Sequence, residues 1–168
     1  MTSQPKHAIF ATTMGWVVIL GSSQGIRHTT LPQPSAQDAC RLLGVPANCT
    51  GPSPKLLASL IERLQAYFDG AKVDFPDKLD LSGATQFQRQ VWQITRLIPH
   101  GNTRSYKWVA KQLGKPGASR AVGQALGKNP LPIMIPCHRV VGSDNGLGGF
   151  IAGLDMKRRL LHLEAQAQ

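Results

Sequence analysis

A cysteine and a histidine stand side by side in residues 135–140, the run IPCHRV, directly after an apolar segment. A neutral imidazole can accept the proton of a thiol, and the resulting thiolate is the nucleophile. Such a pair serves three chemistries: acyl hydrolysis, metal ligation and alkyl transfer. Neighbouring side chains of a regular strand point to opposite faces, so contact between Cys137 and His138 requires a turn or a bridging water. The alternative for His138 is a structural histidine.

Two further polar residues could support this pair. Glu164 follows two leucines of the predicted last helix, so its carboxylate lies beside apolar positions, where it needs a partner. An imidazole N–H would satisfy that carboxylate and would fix the tautomer of His138. An exposed glutamate near a fraying terminus is the alternative. Asn129 precedes Pro130, which disfavours helical geometry at its predecessor, and a plain helix cap would explain it.

Basic residues are concentrated in the half of the chain that contains Cys137. The net charge is +10. Residues 1–84 hold seven Lys or Arg against six Asp or Glu, whereas residues 85–168 hold twelve against three. This asymmetry indicates a polyanionic partner for the second half, although a solubilising charge excess would also account for the total.

Hydropathy and cysteine number exclude several protein classes. No stretch approaches the ~20 apolar residues of a membrane span, and we expect neither a secretory signal nor a membrane partner. The three cysteines, Cys40, Cys49 and Cys137, show no C-x-x-C spacing, which argues against a disulfide framework or a zinc ribbon. His7, His28 and Cys40 do not make a convincing metal cluster. A reducing, cytoplasmic location is expected.

The residue pattern predicts two lobes. Residues 8–31 alternate short apolar runs with glycines, which predicts a small antiparallel meander. A helix is predicted over about 53–69, where apolar residues recur at helical spacing. We therefore expect an α/β N-terminal lobe (a small antiparallel sheet plus a helix) at 1–82 and a mostly α C-terminal domain at 83–168.

The C-terminal domain contains a helix-turn-helix pattern. A helix with one apolar face is predicted over about 87–98. Ser105 can cap a second helix that stops at Gly114, and Ser119 starts a third that runs through Gly127. A tight turn between two helices that carry basic residues is typical of winged-helix-like DNA-binding domains. Many small helical proteins also contain such a turn.

The last helix of that pattern is narrow. Most of its side chains are small, namely Ala118, Ser119, Ala121, Gly123, Ala125 and Gly127. Arg120 is the only long charged side chain in its first turn. Glycine within a helix costs roughly 1 kcal/mol relative to alanine, which favours a close approach as the reason for it. The helix either packs tightly against the core or fits a DNA groove, with Arg120 reaching the base stack.

Six segments between about residues 85 and 165 carry a specific signature: Phe87-x-x-x-Val91-Trp92, Gly101-x-x-x-Ser105-Tyr106, Ser119-Arg120-Ala121-Val122-Gly123, Gly127-x-Asn129-Pro130, Pro136-Cys137-His138-Arg139-Val140 and Lys157-x-x-Leu160-Leu161-x-x-Glu164. They resemble the O6-alkylguanine-DNA alkyltransferase family, which the N-terminal lobe matches in size and α/β character. The resemblance implies a direct-reversal DNA repair protein, a single-turnover methylated-DNA–protein-cysteine S-methyltransferase. Such a protein flips O6-alkylguanine out of duplex DNA and transfers the alkyl group irreversibly to itself.

The resemblance also implies a role for each chemical residue. Cys137 is then the alkyl acceptor, and His138 is its base through a bridging water. Glu164 orients His138, and Asn129 braces the active-site loop. Tyr106 donates its phenol proton to the departing guanine.

The remaining implied residues bind DNA or wall the guanine pocket. Arg120 fills the gap that the flipped nucleotide leaves, and the further DNA contacts are Ala118, Ser119, Ala121, Gly123 and Ser105. The pocket residues are Met134, Val140, Phe150 and Ile151. The backbone carbonyls of Cys137 and Val140 accept from the guanine amino group. The family usually has a small residue where this chain has Ile151, so we expect a narrower pocket.

We expect no cofactor and no metal, and a monomer whose partner is double-stranded DNA carrying O6-alkylguanine or O4-alkylthymine. Two other functions remain in competition. Alkyltransferase-like proteins flag the lesion without removing the alkyl group, but they lack an acceptor cysteine such as Cys137. A cysteine hydrolase with a Cys-His-Glu triad would explain neither the basic lobe nor Arg120.

Overall fold

The computed structural model describes residues 6–46, 55–144, 146–150 and 152–166 of the chain. The chain divides after Leu81 into two compact units, which we call the first and the second unit. The first is an antiparallel sheet with two helices and the second is mostly helical, as the predicted fold class requires. Of the helices described, none has both the length and the apolar character that a bilayer crossing demands.

The first unit is built on a three-stranded sheet. Its described elements are β1 (Lys6–Thr12), β2 (Gly15–Ser22), β3 (Gly25–Thr29), α1 (Ala36–Leu43) and α2 (Lys55–Phe68). The strands pair antiparallel in the order β1-β2-β3, which confirms the predicted meander. Strand β2 buries Val17, Val18 and Ile19 in succession, so both of its faces are covered. Ala39 and Cys40 of α1 pack against Val18, and α2 packs against β1.

Helix α2 has the apolar face that its periodicity predicts. Leu57, Leu60 and Leu64 are buried along it, at helical spacing. The predicted start near residue 53 lies outside the described residues.

Helix α1 was absent from the sequence prediction, although its sequence carries ordinary signals at both ends. The Ser35 Oγ accepts a hydrogen bond from the Asp38 N–H at 3.0 Å, which caps the first turn. Gly44 follows the last turn with a φ of +65°, a conformation that glycine adopts without strain. The helix has eight residues, which is only about two turns.

The second unit is a group of helices packed against one another, and it also contains a short parallel ladder. Its described elements are α3 (Gln86–Thr95), β4 (Arg104–Ser105), α4 (Tyr106–Gln112), α5 (Ser119–Gly127), a 3₁₀ helix (Cys137–Arg139), β5 (Val140–Val141) and α6 (Leu154–Gln166). The Trp92 Nε1 of α3 donates to the Ala125 carbonyl of α5 at 2.9 Å. Ser105 caps α4 by accepting from the Trp108 N–H at 2.9 Å, as predicted. Helix α5 has the predicted bounds.

Helix α3 ends at Thr95, earlier than the predicted end near Ile98. The N–H groups of Leu97 and Ile98 bond to carbonyls three residues back, so the chain tightens after the helix. Pro99 disfavours helical geometry at the residue before it, which explains the early end. Ile98 is nevertheless buried.

The parallel ladder positions two distant segments. Arg104 pairs with Val140, and Ser105 pairs with Val141. Because α4 begins at Tyr106 and the 3₁₀ helix ends immediately before β5, this ladder holds the start of α4 beside the turn that contains Cys137.

Candidate active site

Cys137 opens the 3₁₀ helix, so the Cys-His pair lies on a turn and not on a regular strand. The Asn129 Nδ2 donates to the Ile135 carbonyl, and the Asn129 Oδ1 accepts from the Leu131 N–H, both at 2.8 Å. Between these bonds Ile133 has a φ of +75°. A β-branched residue adopts that conformation only where its surroundings impose it. Asn129 therefore braces the segment that presents Cys137.

Cys137 lines a cavity of about 550 Å³, within the ~300–1,000 Å³ range of small-ligand sites. The residue itself is 6% exposed. The cavity is lined by Tyr106, Ser119, Arg120, Gly123, Gln124, Leu126, Gly127, Cys137, Gly149 and Phe150. Segments from α4, α5, the 3₁₀ helix and the loop before α6 thus meet at one place.

The small residues of α5 leave this cavity open. A Cβ on Gly123 would lie 3.7 Å from the Tyr106 ring, which is ordinary contact, and a Cβ on Gly127 would meet no atom within 4 Å. Close packing inside the protein therefore requires neither glycine. Both line the cavity, so their missing side chains add room there.

The Glu164 carboxylate is buried and receives hydrogen bonds from three residues. The His138 Nε2 lies 2.5 Å from its Oε2. Arg139 donates from Nε to Oε1 at 2.8 Å and from Nη2 to Oε2 at 3.1 Å. The Gly101 N–H donates to Oε1 at 3.1 Å, and the Arg139 Nη1 donates to the Ile98 carbonyl at 2.7 Å. A fixed positive charge and directed N–H groups compensate the burial of this carboxylate.

His138 is buried and neutral. Burial lowers the pKa of His138, and the positive charges of Arg139 and Lys157 lower it further, while Glu164 opposes them. Since Nε2 donates its hydrogen to Glu164, the lone pair of the neutral ring lies on Nδ1. His138 can therefore accept a proton at Nδ1.

The Cys137 thiol is protonated at neutral pH. Burial raises the pKa of Cys137, while a hydrogen bond from Asn129 and the positive charge of Lys157 oppose that rise. Only a thiolate is a strong sulfur nucleophile. The site therefore needs a base to remove the thiol proton when it reacts.

A second polar cluster joins Tyr106 to Lys157. The Tyr106 Oη donates to the Gly149 carbonyl at 3.3 Å. The Lys157 Nζ donates to the Val140 carbonyl at 2.7 Å, to the Gly149 carbonyl at 3.1 Å and to the Tyr106 Oη at 3.4 Å. Burial raises the pKa of Tyr106, so the phenol keeps its proton at neutral pH. A Cβ at Gly148 would lie 2.5 Å from the Tyr106 Oη, which requires glycine there.

Two of the residues expected in the pocket wall do not line the described cavity. Met134 and Val140 are buried, and neither is among the described residues that line the cavity. The Val140 carbonyl accepts from Lys157. Ile151, expected to narrow the pocket, lies outside the described residues.

The expected DNA-contact residues cluster at two helix starts. Ser119 and Arg120 line the cavity in the first turn of α5, and Arg120 is exposed. Ala118 is the residue before α5, and Ala121 is half-buried in its first turn. Ser105 lies immediately before α4, where its Oγ accepts the capping bond. Arg120 is thus the long cationic side chain at the cavity rim.

Sequence reasoning assigned no role to Arg139 or Lys157. Lys157 had a usable signal, because it precedes the buried Leu160 and Glu164 on one face of α6 at helical spacing. Arg139 had none, since one of its partners is the backbone carbonyl of Ile98, far away in sequence.

The described cysteines are not organised for metal binding. Across the part of the chain that the structure describes, no three His, Cys, Asp or Glu side chains converge on a position that could hold a metal ion. Cys137 is a free thiol, and Cys49 lies outside the described residues. Cys40 packs in the apolar core of the first unit.

Known proteins resemble this chain in sequence and in fold. Residues 86–166 match the family described as 6-O-methylguanine DNA methyltransferase, DNA binding domain. The methylated-DNA–protein-cysteine methyltransferase of Mycolicibacterium paratuberculosis is 50% identical over 112 residues, 67% of this chain and 67% of that protein. The protein of the same name from Methanosarcina barkeri is 39% identical over 158 residues, 94% of this chain and 96% of that protein.

The fold has a solved counterpart. The crystal structure of Mycobacterium tuberculosis OGT in complex with DNA aligns with a TM-score of 0.77 at 37% identity, over 95% of this chain and 92% of that chain.

Proposed function

The chain belongs to the methylated-DNA–protein-cysteine methyltransferase family, and on that premise we propose that Cys137 is the residue that takes up the alkyl group. The protein is a direct-reversal DNA repair methyltransferase, and its substrate is duplex DNA that carries O6-alkylguanine. One observation carries the assignment. Of the two described cysteines, Cys137 lines the cavity with Tyr106 and Arg120, whereas Cys40 is packed in an apolar core.

The transfer is a displacement at carbon. The Cys137 sulfur attacks the alkyl carbon, an S–C bond forms as the C–O6 bond breaks, and the electron pair stays with the purine. Tyr106 gives its Oη proton to the purine, which makes guanine a better leaving group. The product is a thioether without a carbonyl for water to attack. Each protein molecule therefore reacts once.

We assign the thiol proton to His138, which accepts it at Nδ1 through a bridging water. Glu164 fixes the ring by accepting from Nε2, and Arg139 fixes the carboxylate. A thiol that keeps its proton at rest reacts slowly with stray electrophiles. Coupling deprotonation to a neighbouring base thus limits loss of Cys137 before it meets its substrate.

DNA binding is assigned to residues 83–168, with residues 1–82 as a separate α/β lobe. Flipping a nucleotide out of a duplex costs a few kcal/mol, which contacts with the protein must offset. Arg120 is proposed to fill the vacated space in the base stack, with contacts from Ala118, Ser119, Ala121, Gly123 and Ser105 beside it. The charge excess of this half should make binding weaken steeply with salt.

We further propose that the protein works as a cytoplasmic monomer. The reaction needs a reduced acceptor, and Cys137 is a free thiol. We also propose O4-alkylthymine in DNA as a second substrate, because it too carries its alkyl group on an exocyclic oxygen.

Intact-mass analysis after incubation with an O6-methylguanine duplex tests the assignment. We expect the chain to gain one methyl group, in a reaction that stops at one equivalent, and peptide mapping to locate the group on Cys137. Cys137→Ala should abolish the gain, and Cys40→Ala, the matched control, should retain it.

Three outcomes would overturn the proposal. Binding of the duplex without any mass gain would indicate a lesion-flagging protein. Repeated turnover with an unmodified Cys137 would indicate a hydrolase. A methyl group that maps to another residue would remove Cys137 as the acceptor.

A further inference from the structure

Gln124 is a cavity residue to which neither the sequence motifs nor the transfer chemistry assigns a role. It lies on α5, four residues after Arg120, and both side chains line the cavity that contains Cys137. Residues four apart in a helix lie on the same face, about 5–6 Å apart at Cβ. The Gln124 side chain is exposed, and among the described residues none hydrogen-bonds to its amide. Folding therefore does not explain the amide.

Arg120 and Gln124 are the long, exposed side chains that α5 contributes to this cavity. The other residues of α5 that line it are small or, in one case, buried: Ser119, Gly123, Gly127 and Leu126. No exposed bulky side chain among these separates the Gln124 amide from the Arg120 guanidinium. The two polar groups therefore face the same region of a bound duplex.

Nucleotide flipping leaves two vacancies in a duplex. One is the gap in the base stack, which the proposed function assigns to Arg120. The other is the pairing edge of the base opposite the lesion, whose donors and acceptors have lost their partners. Unsatisfied polar groups that are shielded from water are costly. A guanidinium carries donors only, so Arg120 can satisfy the acceptors of that edge but not its donors.

The amide of Gln124 carries both kinds of group, a carbonyl oxygen that accepts and an amino group that donates. Cytosine presents the N4 amino group beside the N3 acceptor, and thymine presents N3–H beside the O4 acceptor. In one orientation the amide matches cytosine, and after half a turn about its last bond it matches thymine. One glutamine can thus pair with either pyrimidine.

We propose that Gln124 is a specificity-determining residue of the transfer: its amide hydrogen-bonds to the pairing edge of the base opposite the lesion once the alkylated guanine has left the stack. This role rests on the proposed transfer to Cys137. Alkylation at O6 removes the N1 hydrogen of guanine, so the lesion occurs opposite thymine as well as opposite cytosine. The amide allows the chain to accept both duplexes.

The test varies the base opposite the lesion and keeps the rest of the duplex unchanged. Three O6-methylguanine duplexes carry cytosine, thymine or an abasic site at that position. The readout is the rate of methyl transfer to Cys137 under subsaturating conditions, where the cost of flipping contributes to the rate. The abasic duplex has no pairing edge, so dividing each rate by the abasic rate removes any effect that is common to all three.

Gln124→Met keeps an unbranched side chain with a similar helix propensity and removes the amide. We expect the rate relative to the abasic duplex to fall about 10-fold, both for cytosine and for thymine, because two hydrogen bonds are lost. The rate with the abasic duplex itself should be unchanged, as should the reaction with free O6-methylguanine base. The midpoint of urea unfolding should also be unchanged, since the side chain is exposed.

Lys128→Met is the matched control. Lys128 is exposed, directly follows α5 one turn after Gln124, and is not among the described residues that line the cavity. Removing its charge should weaken contact with all three duplexes alike, because attraction to phosphates does not depend on the opposite base. Its relative rates should therefore equal those of the unmodified chain.

The outcomes separate this role from the transfer itself. An unmodified chain that gains no methyl group on Cys137 overturns the proposed function, and the role of Gln124 falls with it. Normal transfer together with unchanged relative rates in Gln124→Met overturns the role of Gln124 alone. Slowing that is equal with all three duplexes, or that extends to the free base, also overturns it, because Gln124 would then contact the DNA backbone or the flipped guanine. Slowing confined to one pyrimidine would contradict pairing with both.

Discussion

The two units differ in the kind of side chain that they bury. In the first unit, the buried polar residues among those described are Thr29, Thr30 and Asp80. The second unit buries two full cations and a carboxylate around its histidine: His138, Arg139, Lys157 and Glu164. The first unit otherwise has an interior of aliphatic and aromatic side chains on a covered sheet.

This difference separates residues that serve stability from residues that serve chemistry. Apolar burial accounts for the first unit, since it stabilises a fold by roughly 25 cal/mol per Å² of surface removed from water. Buried ion pairs often stabilise a fold less than apolar side chains of the same volume would. In the second unit Lys157 donates to Tyr106, and Glu164 holds His138 next to Cys137, so we attribute these buried charges to the proposed reaction.

The largest expected effect is that of Glu164→Gln. The substitution keeps the shape of the side chain but leaves Arg139 without its counter-charge, and breaking a buried pair in this way costs ~3–5 kcal/mol. It also removes the acceptor that orients His138, so transfer from methylated duplex should slow together with the loss of stability. Urea unfolding at neutral pH and single-turnover mass analysis measure the two effects.

Asp80→Asn is the matched control in the first unit. Asp80 is buried and accepts from the Ser22 hydroxyl at 2.5 Å. Its loss of charge should cost ~1.5–3 kcal/mol of unfolding free energy, the range for a hydrogen bond to a charged group, without changing the transfer rate. If Asp80→Asn slowed transfer as much as Glu164→Gln, the contrast between the units would be lost.

Arg120→Ala should have the next largest effect, on activity and not on stability. Arg120 is exposed at the cavity, so its removal leaves the core intact. We expect transfer from a duplex to slow roughly 10- to 100-fold, because base flipping costs a few kcal/mol that the arginine helps to offset. Reaction with the free O6-alkylguanine base, which needs no flipping, should be nearly unchanged.

Arg27→Ala removes the same charge from an exposed position of the first unit and should affect neither reaction. Equal losses with duplex and free base in Arg120→Ala would contradict the base-flipping role. Equal losses in Arg27→Ala and Arg120→Ala would show that total charge matters and position does not.

Much of the fold could be predicted from short sequence signals, wherever the interaction that forms an element joins residues close together in the chain. Ser105 caps α4 through the N–H of Trp108, three residues away, and the small residues of α5 lie within its predicted bounds. Helix α1 carries the same kind of signals at Ser35 and Gly44, and the sequence prediction does not use them.

The candidate site could be predicted only in part. The motif around Cys137 and the apolar neighbours of Glu164 led to an acceptor and its oriented base. The carbonyls that bind Arg139 and Lys157 belong to Ile98, Val140 and Gly149, and a carbonyl group has no sequence signature. Arg139 became assignable only once tertiary structure had brought the Ile98 carbonyl to it, whereas Lys157 could have been singled out by its helical spacing from Leu160 and Glu164.

The smallest expected effects come from the two serine caps, one in each unit. Ser35 Oγ accepts from the Asp38 N–H at 3.0 Å, and Ser105 Oγ accepts from the Trp108 N–H at 2.9 Å. Ser35→Ala and Ser105→Ala should therefore each cost about 1 kcal/mol of unfolding free energy. The stability data alone should not distinguish the two units.

Duplex binding should distinguish them. Each Oγ uses a lone pair for its cap and keeps its own O–H as a donor, but the proposed DNA surface includes Ser105 and not Ser35. Losing one phosphate hydrogen bond should weaken binding of Ser105→Ala to a short duplex by roughly 3- to 10-fold, while Ser35→Ala binds as the unmodified chain does. Equal affinities of Ser105→Ala and Ser35→Ala in a fluorescence-anisotropy titration would show that Ser105 only caps its helix, as Ser35 does. The DNA contacts would then be assigned to α5 alone.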